Sequence, residues 1–320
     1  HLHDSGRAVC ATPADDYPRG IVGPVTTPRP RALVAAALTL MVTVAGCAAQ
    51  QSPIPRVTKM SLAIEVSQQR LTKLSTRSHE LLSTLVVADR PGCSAAVGER
   101  GNVVWAGAAG LADLTASTPL TIETRFDIAS VSKQFTAATA ALLHLEGALG
   151  LDDDIRIHLP ELPAWDPVVT VRQLVHHTSG VRDIYGLISL SGGSTADAWS
   201  DQDYLDLLAR QVDLNFPAGS EYSYSNGAYF LLTTVIERVT GESLDEAARA
   251  RIFGPLQMHD THFHQDRERI VARRAMSYGG SRANGFGQTY LGNFDKAGAG
   301  GLYTTIEDLA AWNRNLETGE

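Results

Sequence analysis

Ser130-Val131-Ser132-Lys133 is the sharpest chemical signal in this sequence. In a helical segment one turn separates Ser130 from Lys133, and both side chains leave on one face. A serine hydroxyl is a poor nucleophile until a base removes its proton. A lysine is that base only where desolvation or nearby cations favour its neutral amine. A helix start also presents free N–H groups and the positive end of the dipole, which suit a developing oxyanion. A helix cap followed by a surface lysine would give the same letters. The chain holds only four lysines: Lys59, Lys73, Lys133 and Lys296. Even so, a chance Ser-x-x-Lys is expected in about a quarter of such chains, so a second element is needed.

Tyr224-Ser225-Asn226 is that element, the only Tyr-x-Asn in the chain. It follows the turn signal Pro217-Ala218-Gly219 and precedes a helical pattern from Ala228. A tyrosine beside a serine–lysine pair can relay a proton to a leaving group. An asparagine amide can hold the pair and the carbonyl side of a substrate. Taken alone, a loop tyrosine with a capping asparagine fits Tyr224 and Asn226 better. His259, His262 and His264 with Asp260 are metal-ligand types, but they read as a surface cluster in a loop after Pro255, without the rigid frame that ligands need. His176-His177 reads as a structural helix end, and Asp152-Asp153-Asp154 as a solvated loop. No Gly-x-Ser-x-Gly elbow occurs, which argues against an α/β-hydrolase. No metal or organic cofactor is implied.

The elements that must carry these residues begin with a helix within Met60 to Val87. Cys93 to Val97 and Asn102 to Ala106 read as a hairpin around Glu99-Arg100-Gly101, and Phe126-Asp127-Ile128 as a short buried strand. Helical patterns then run from Ser130 to about Gly147, from a cap at Thr170 to His177, over Ala196–Val212, Ala228–Val239 and Leu244–Ile252, and over Thr305–Leu316, the last opened by Thr304 and Glu307 in capping-box spacing. Strands first and helices after indicate an α+β plan. Trp105, Trp165, Trp199 and Trp312 read as packing residues.

The two motifs together resemble the first two boxes of the beta-lactamase-related serine hydrolases, the class C beta-lactamase, D-alanyl-D-alanine carboxypeptidase and penicillin-binding type. Phe126-Asp127-Ile128-Ala129 is similar to that family's lead-in, and Leu174-Val175-His176-His177-Thr178-Ser179-Gly180 to its first helical-lobe turn. Phe216-Pro217-Ala218-Gly219, Pro255-Leu256-Gln257-Met258 with Thr261, and Gly300-Gly301-Leu302-Tyr303-Thr304-Thr305 with Asp308-Leu309 match further positions in the same order. The likeness covers roughly Cys93 to Glu320. It implies a beta-lactamase/transpeptidase-like fold, an antiparallel sheet flanked by helices with an inserted helical lobe. It also implies acylation of Ser130 with Lys133 as base, Tyr224 as proton shuttle and Asn226 as orienting group. The Ser130 N–H would form half of the oxyanion hole, and Lys133 and Tyr224 would titrate as a coupled pair. Substrates of this type are D-Ala-D-Ala peptides, beta-lactams and small esters. The family's third box, Lys or His followed one residue later by Gly on a cleft-closing strand, is not found after the tyrosine box. The C-terminal strands are therefore expected to be missing, and the chain ending at Glu320 to be inactive and poorly stable. A non-catalytic penicillin- or peptidoglycan-binding lipoprotein and a truncated pseudoenzyme are the alternatives.

The bulk numbers bound the rest. With 320 residues, 44% of them hydrophobic, a large core is affordable. A formal net charge of -8 argues against nucleic acid as the main partner. Arg29 and Arg31, the apolar run Ala32 to Ala45 and Val44-Ala45-Gly46-Cys47 have the layout of an export signal. The cysteine after small residues resembles a bacterial lipoprotein signal, with Cys47 lipidated and the protein membrane-anchored in the cell envelope. Residues 1–47 are thus expected to be upstream sequence and signal, 48–59 a tether and 60–320 the hydrolase domain. Cys93 is expected to be a small buried apolar residue.

Overall fold

The computed structural model describes residues 57–99, 101–281, 283–289 and 297–319, with side chains from residue 68 onward. The expected signal with Cys47, most of the tether and Lys296 lie outside the described residues. The chain divides into two units, 1–69 and 70–320. Of the first, the described part is the backbone that opens α1 (Val57–Leu85). That helix already holds residues 57–59, which sequence patterning had given to the tether.

In the second unit β1 (Cys93–Glu99) and β2 (Asn102–Ala109) form the expected antiparallel hairpin, with a bulge at Val97/Gly98. Cys93, expected to be buried, is half-buried at its start. β3 (Leu111–Asp113) pairs with β4 (Thr118–Pro119), and β5 (Phe126–Asp127) leads into a 3-10 turn, Ala129–Ser132, and α2 (Lys133–Leu145). α3 (Val171–Val175) starts at a Thr170 capping box, and α4 (Ile184–Leu190) at an Asp183 cap. α5 (Asp201–Ala209) is shorter than its apolar pattern suggested. Upstream, Ser194 N–H donates to Asp197 (2.7 Å) and the Trp199 indole to the Ser194 carbonyl (2.8 Å), holding that stretch in turns until Ser200 caps the helix.

α6 (Asn226–Thr240) is the hub, buried from Gly227 through Thr233 and again at Val235 and Ile236. A helix apolar on most sides belongs inside. Leu231, Leu232, Val235 and Ile236 are fully enclosed, each contributing about 1.5–3 kcal/mol through burial. α2 packs against it, with Phe135 and Leu143 buried in the same core, and Phe135 meets the rings of Phe253 and Trp312. α7 (Leu244–Ala248) passes into a π turn at Arg249–Phe253 instead of continuing as an α-helix. β6 (His262–Phe263), the hairpin β7 (Tyr278–Ser281) and β8 (Gly285–Gln288), and β9 (Leu302–Thr304) follow. β9 lies between β5 and β6, antiparallel to both. α8 (Ile306–Thr318) is capped by Thr305, whose hydroxyl accepts from Asp308 N–H at 3.2 Å. The Thr304 expected in that role is in β9, its hydroxyl 2.7 Å from that of Thr261. The mixture of helices with antiparallel strands is the α+β plan expected, although among the described residues the strands form several small sheets.

Candidate active site

Helix starts converge on Ser130. The chain reaches it through β5, whose Asp127 carboxylate accepts the Ala129 N–H at 2.8 Å. Ala129 adopts φ 47°, a left-handed conformation that a side-chain-bearing residue holds only under constraint. Ser132 supplies that constraint, donating to the Ala129 carbonyl (2.5 Å) and accepting from Leu302 N–H (3.2 Å) on β9. Ser130 is thus turned outward and exposed, while Lys133 beside it is buried. The Ser130 amide lies in the first turn, where N–H groups have no acceptor within the helix. Sequence patterning had begun the α-helix at Ser130; the 3-10 turn still brings Lys133 back to the serine.

Four groups meet there. Tyr224 donates from its phenol to Ser130 Oγ at 2.7 Å. Lys133 Nζ is 3.3 Å from the same Oγ, and donates to Asn226 Oδ1 at 2.8 Å and to the Ala299 carbonyl at 2.5 Å. Burial pushes the Lys133 amine down to about 8, with Asp183 pulling the other way. Its ammonium end also lies over the Tyr224 and Tyr229 rings, 4.7 and 5.4 Å from their centroids. The bond geometry has a chemical consequence. Asn226 Oδ1 and the Ala299 carbonyl can only accept, so a neutral amine spends its two N–H groups on them. Its lone pair is then left for the Ser130 hydroxyl.

Sequence reasoning missed three supports. Asp183 caps α4 through Tyr185 N–H (3.0 Å), and its other oxygen accepts from both the N–H (2.7 Å) and the Nδ2 (2.8 Å) of Asn226. His177, read as a structural helix end, is buried directly behind Tyr224. Its ring lies 4.5 Å from the Tyr224 ring and 5.0 Å from that of Tyr229, and its Nδ1 accepts from Ser225 N–H at 3.2 Å. Burial, then Lys133 and His176, hold His177 below the usual imidazole range, so the neutral acceptor form is favoured. The 215–223 loop runs along the 177–180 segment, with Asn215 N–H on the Gly180 carbonyl and Ser223 N–H on that of His177. Gly180, at φ 72°, leaves no room for a side chain, since a Cβ would stand 2.3 Å from the Phe216 carbonyl oxygen. The third support is the Ala299 carbonyl, which no side-chain pattern could reveal. Asp183 was legible as a cap before an apolar stretch.

Two other expectations are corrected. His262 is buried on β6 against Tyr303, and burial with surrounding arginines and His264 pushes it down to about 3. Asp260 is paired with Arg125 and Arg273. The histidines are therefore not one surface cluster. A Lys-x-Gly triplet does occur after the tyrosine box, at Lys296-Ala297-Gly298. Its described part, buried Ala297 and Gly298 at φ 107°, forms a bend packed on Thr233 and not a strand.

An activated serine flanked by lysine and tyrosine, on this α+β frame, is the makeup of a serine hydrolase of beta-lactamase-like fold. The family model described as Beta-lactamase matches residues 80–320, and the chain belongs to that family. The D-aminopeptidase of Cereibacter sphaeroides is 36% identical over 69% of this chain, and that of Brucella anthropi 33% over 71%. The chain spans 42% of the length of each of these curated relatives. Among solved structures, EstCE1, "a hydrolase with promiscuous acyltransferase activity", superposes with a TM-score of 0.63 at 25% identity, covering 81% of this chain and 74% of that one. The D-amino acid amidase of Ochrobactrum anthropi SV3 gives 0.57 at 28% identity, over 71% and 65%. A penicillin-binding protein homologue from Pyrococcus abyssi gives 0.61 at 26%, over 77% and 55%.

Proposed function

We propose that the protein hydrolyses small amides or esters through an acyl-enzyme on Ser130, with amides of D-configured amino acids as the first substrate class to try. The observation that carries this is the arrangement at Lys133. Its Nζ lies 3.3 Å from Ser130 Oγ, while Asn226 Oδ1 and the Ala299 carbonyl accept from it. In the neutral amine, whose two N–H groups serve those acceptors, the lone pair is free for the serine hydroxyl. The relatives named D-aminopeptidase and the D-amino acid amidase support the substrate class. In acylation Lys133 takes the Ser130 proton as Oγ bonds to the carbonyl carbon and the carbonyl electrons move onto oxygen. Tyr224 gives its proton to the departing nitrogen or oxygen as the scissile bond breaks, and regains one from Lys133. Water then attacks the ester, its proton passing to the same pair and one returning to Ser130. The Ser130 N–H faces the developing oxyanion.

The test is hydrolysis of D-alanine p-nitroanilide, a chromogenic cephalosporin and p-nitrophenyl butyrate by the protein and by Ser130→Ala. Turnover of the D-amide that disappears in the variant supports the proposal. A penicillin label on Ser130 that never turns over would instead mark a non-catalytic binder. No label and no turnover would identify a pseudoenzyme. We further propose export to the bacterial cell envelope with a lipid anchor at Cys47, supported by the basic, apolar and small-residue order of residues 29–47. Incorporation of labelled palmitate that is lost in Cys47→Ala tests it, and incorporation unaffected by that change refutes it.

A further inference from the structure

We propose that Asp183 is a positioning residue for acylation: its carboxylate fixes which way the Asn226 amide faces, and so keeps an acceptor, not a donor, against Lys133. This rests on the serine hydrolase reading above. An asparagine amide has an oxygen end and an NH2 end of nearly the same size, and only its partners decide between them. Here Asp183 Oδ2 takes both the backbone N–H and the Nδ2 of Asn226, at 2.7 and 2.8 Å, and a carboxylate accepts only. The NH2 end is therefore fixed toward Asp183 and Oδ1 toward Lys133 Nζ, 2.8 Å away. Asp183 cannot turn aside, because its other oxygen caps α4 at Tyr185 N–H. Gly227, next along α6, lets the two segments meet, since a Cβ there would stand 2.4 Å from the Arg182 carbonyl oxygen.

A reversed amide would set NH2 against the lysine amine. One lysine N–H would then lose its acceptor, and the lone pair would turn from Ser130 to the new donor. Asp183 also acts through its charge, favouring the ammonium form against burial. The other titratable groups around Lys133 are Tyr224 on the tyrosine loop, Tyr229 on α6 and His177 after α3, with Tyr222 acting on Tyr229 and His176 on His177. Arg182, beside Asp183, is engaged by Gln211.

Two variants separate orientation from folding. Asp183→Asn keeps the shape but can present NH2 to Asn226, inviting the reversal. Asp183→Ser keeps a capping oxygen for α4 and removes the carboxylate. Acylation of Ser130 by a p-nitrophenyl ester is followed against pH, together with thermal unfolding and direct NMR titration of the Lys133 side chain. The proposal expects acylation to fall at least about 100-fold in Asp183→Asn. It also expects the lysine titration to move to lower pH in both variants, by roughly half a unit or more, with folded protein throughout. Rates within threefold of the parent, or an unmoved lysine titration in folded Asp183→Ser, would overturn it. If the parent protein itself shows no Ser130-dependent acylation, the serine hydrolase reading falls, and this proposal falls with it. Normal acylation in the parent with unaffected Asp183 variants refutes the proposal alone.

Discussion

Lowering the pH should switch off acylation long before it unfolds the protein. Lys133 is a base only when neutral, and burial brings its amine down to about 8. The direction follows from the charge: acid protonates the amine, occupies the lone pair facing Ser130 and removes the base. With that value the neutral fraction is about 50% at pH 8 and about 1% at pH 6. Acylation should therefore fall about 50-fold between them, with a slope approaching one decade per pH unit. An unperturbed lysine near 10.4 would place the whole limb more than about two units higher. The assay is kcat/KM, or the single-turnover acylation rate, for a non-ionising ester between pH 5.5 and 9.5, with circular dichroism recorded at each point. A rate that stays level down to pH 6, or a limb centred above 9.5, would refute the reasoning that burial tunes this amine.

Further outcomes follow from particular contacts. Tyr224→Phe keeps the ring against His177 but removes the donor to Ser130; acylation should drop about 10²–10⁴-fold with an unchanged melting temperature, measured by kinetics and calorimetry together. Ser132→Ala leaves the Leu302 N–H and the Ala129 carbonyl without this hydroxyl; urea unfolding should show a loss of about 2 kcal/mol, with slower acylation because Ala129 is no longer held at its left-handed φ. Phe135→Ala opens a cavity among α2, Phe253 and Trp312 and should cost about 3–5 kcal/mol in the same experiment.

Much of this site was legible before the fold was known, for reasons tied to local spacing. Ser130 and Lys133 are one turn apart, so either a 3-10 or an α turn places them side by side. Tyr224 and Asn226 open a buried helix after a turn signal, and that signal survives in sequence. The Thr170 cap was readable because its whole hydrogen-bond circuit spans three residues. What remained hidden depends on distant chain. The Ala299 carbonyl reaches Lys133 across 166 residues, and backbone carries no residue code. His177 looked like a helix end because its role is to support a loop more than 40 residues away through Nδ1. α5 was drawn too long because apolar periodicity is blind to the Ser194–Asp197 turn that competes with it. β6 and β9 are too short for alternation to declare them, and they exist through pairing with each other.

The most direct test of the account is where the acyl group goes. The protein is mixed at pH 8 with a D-amino-acid p-nitrophenyl ester, quenched in acid within the first turnover, digested and mapped by tandem mass spectrometry. The account predicts one adduct, on Ser130, absent from Lys133→Met at the same time point. An adduct confined to any other residue, or undiminished labelling of Ser130 without the lysine, would contradict it.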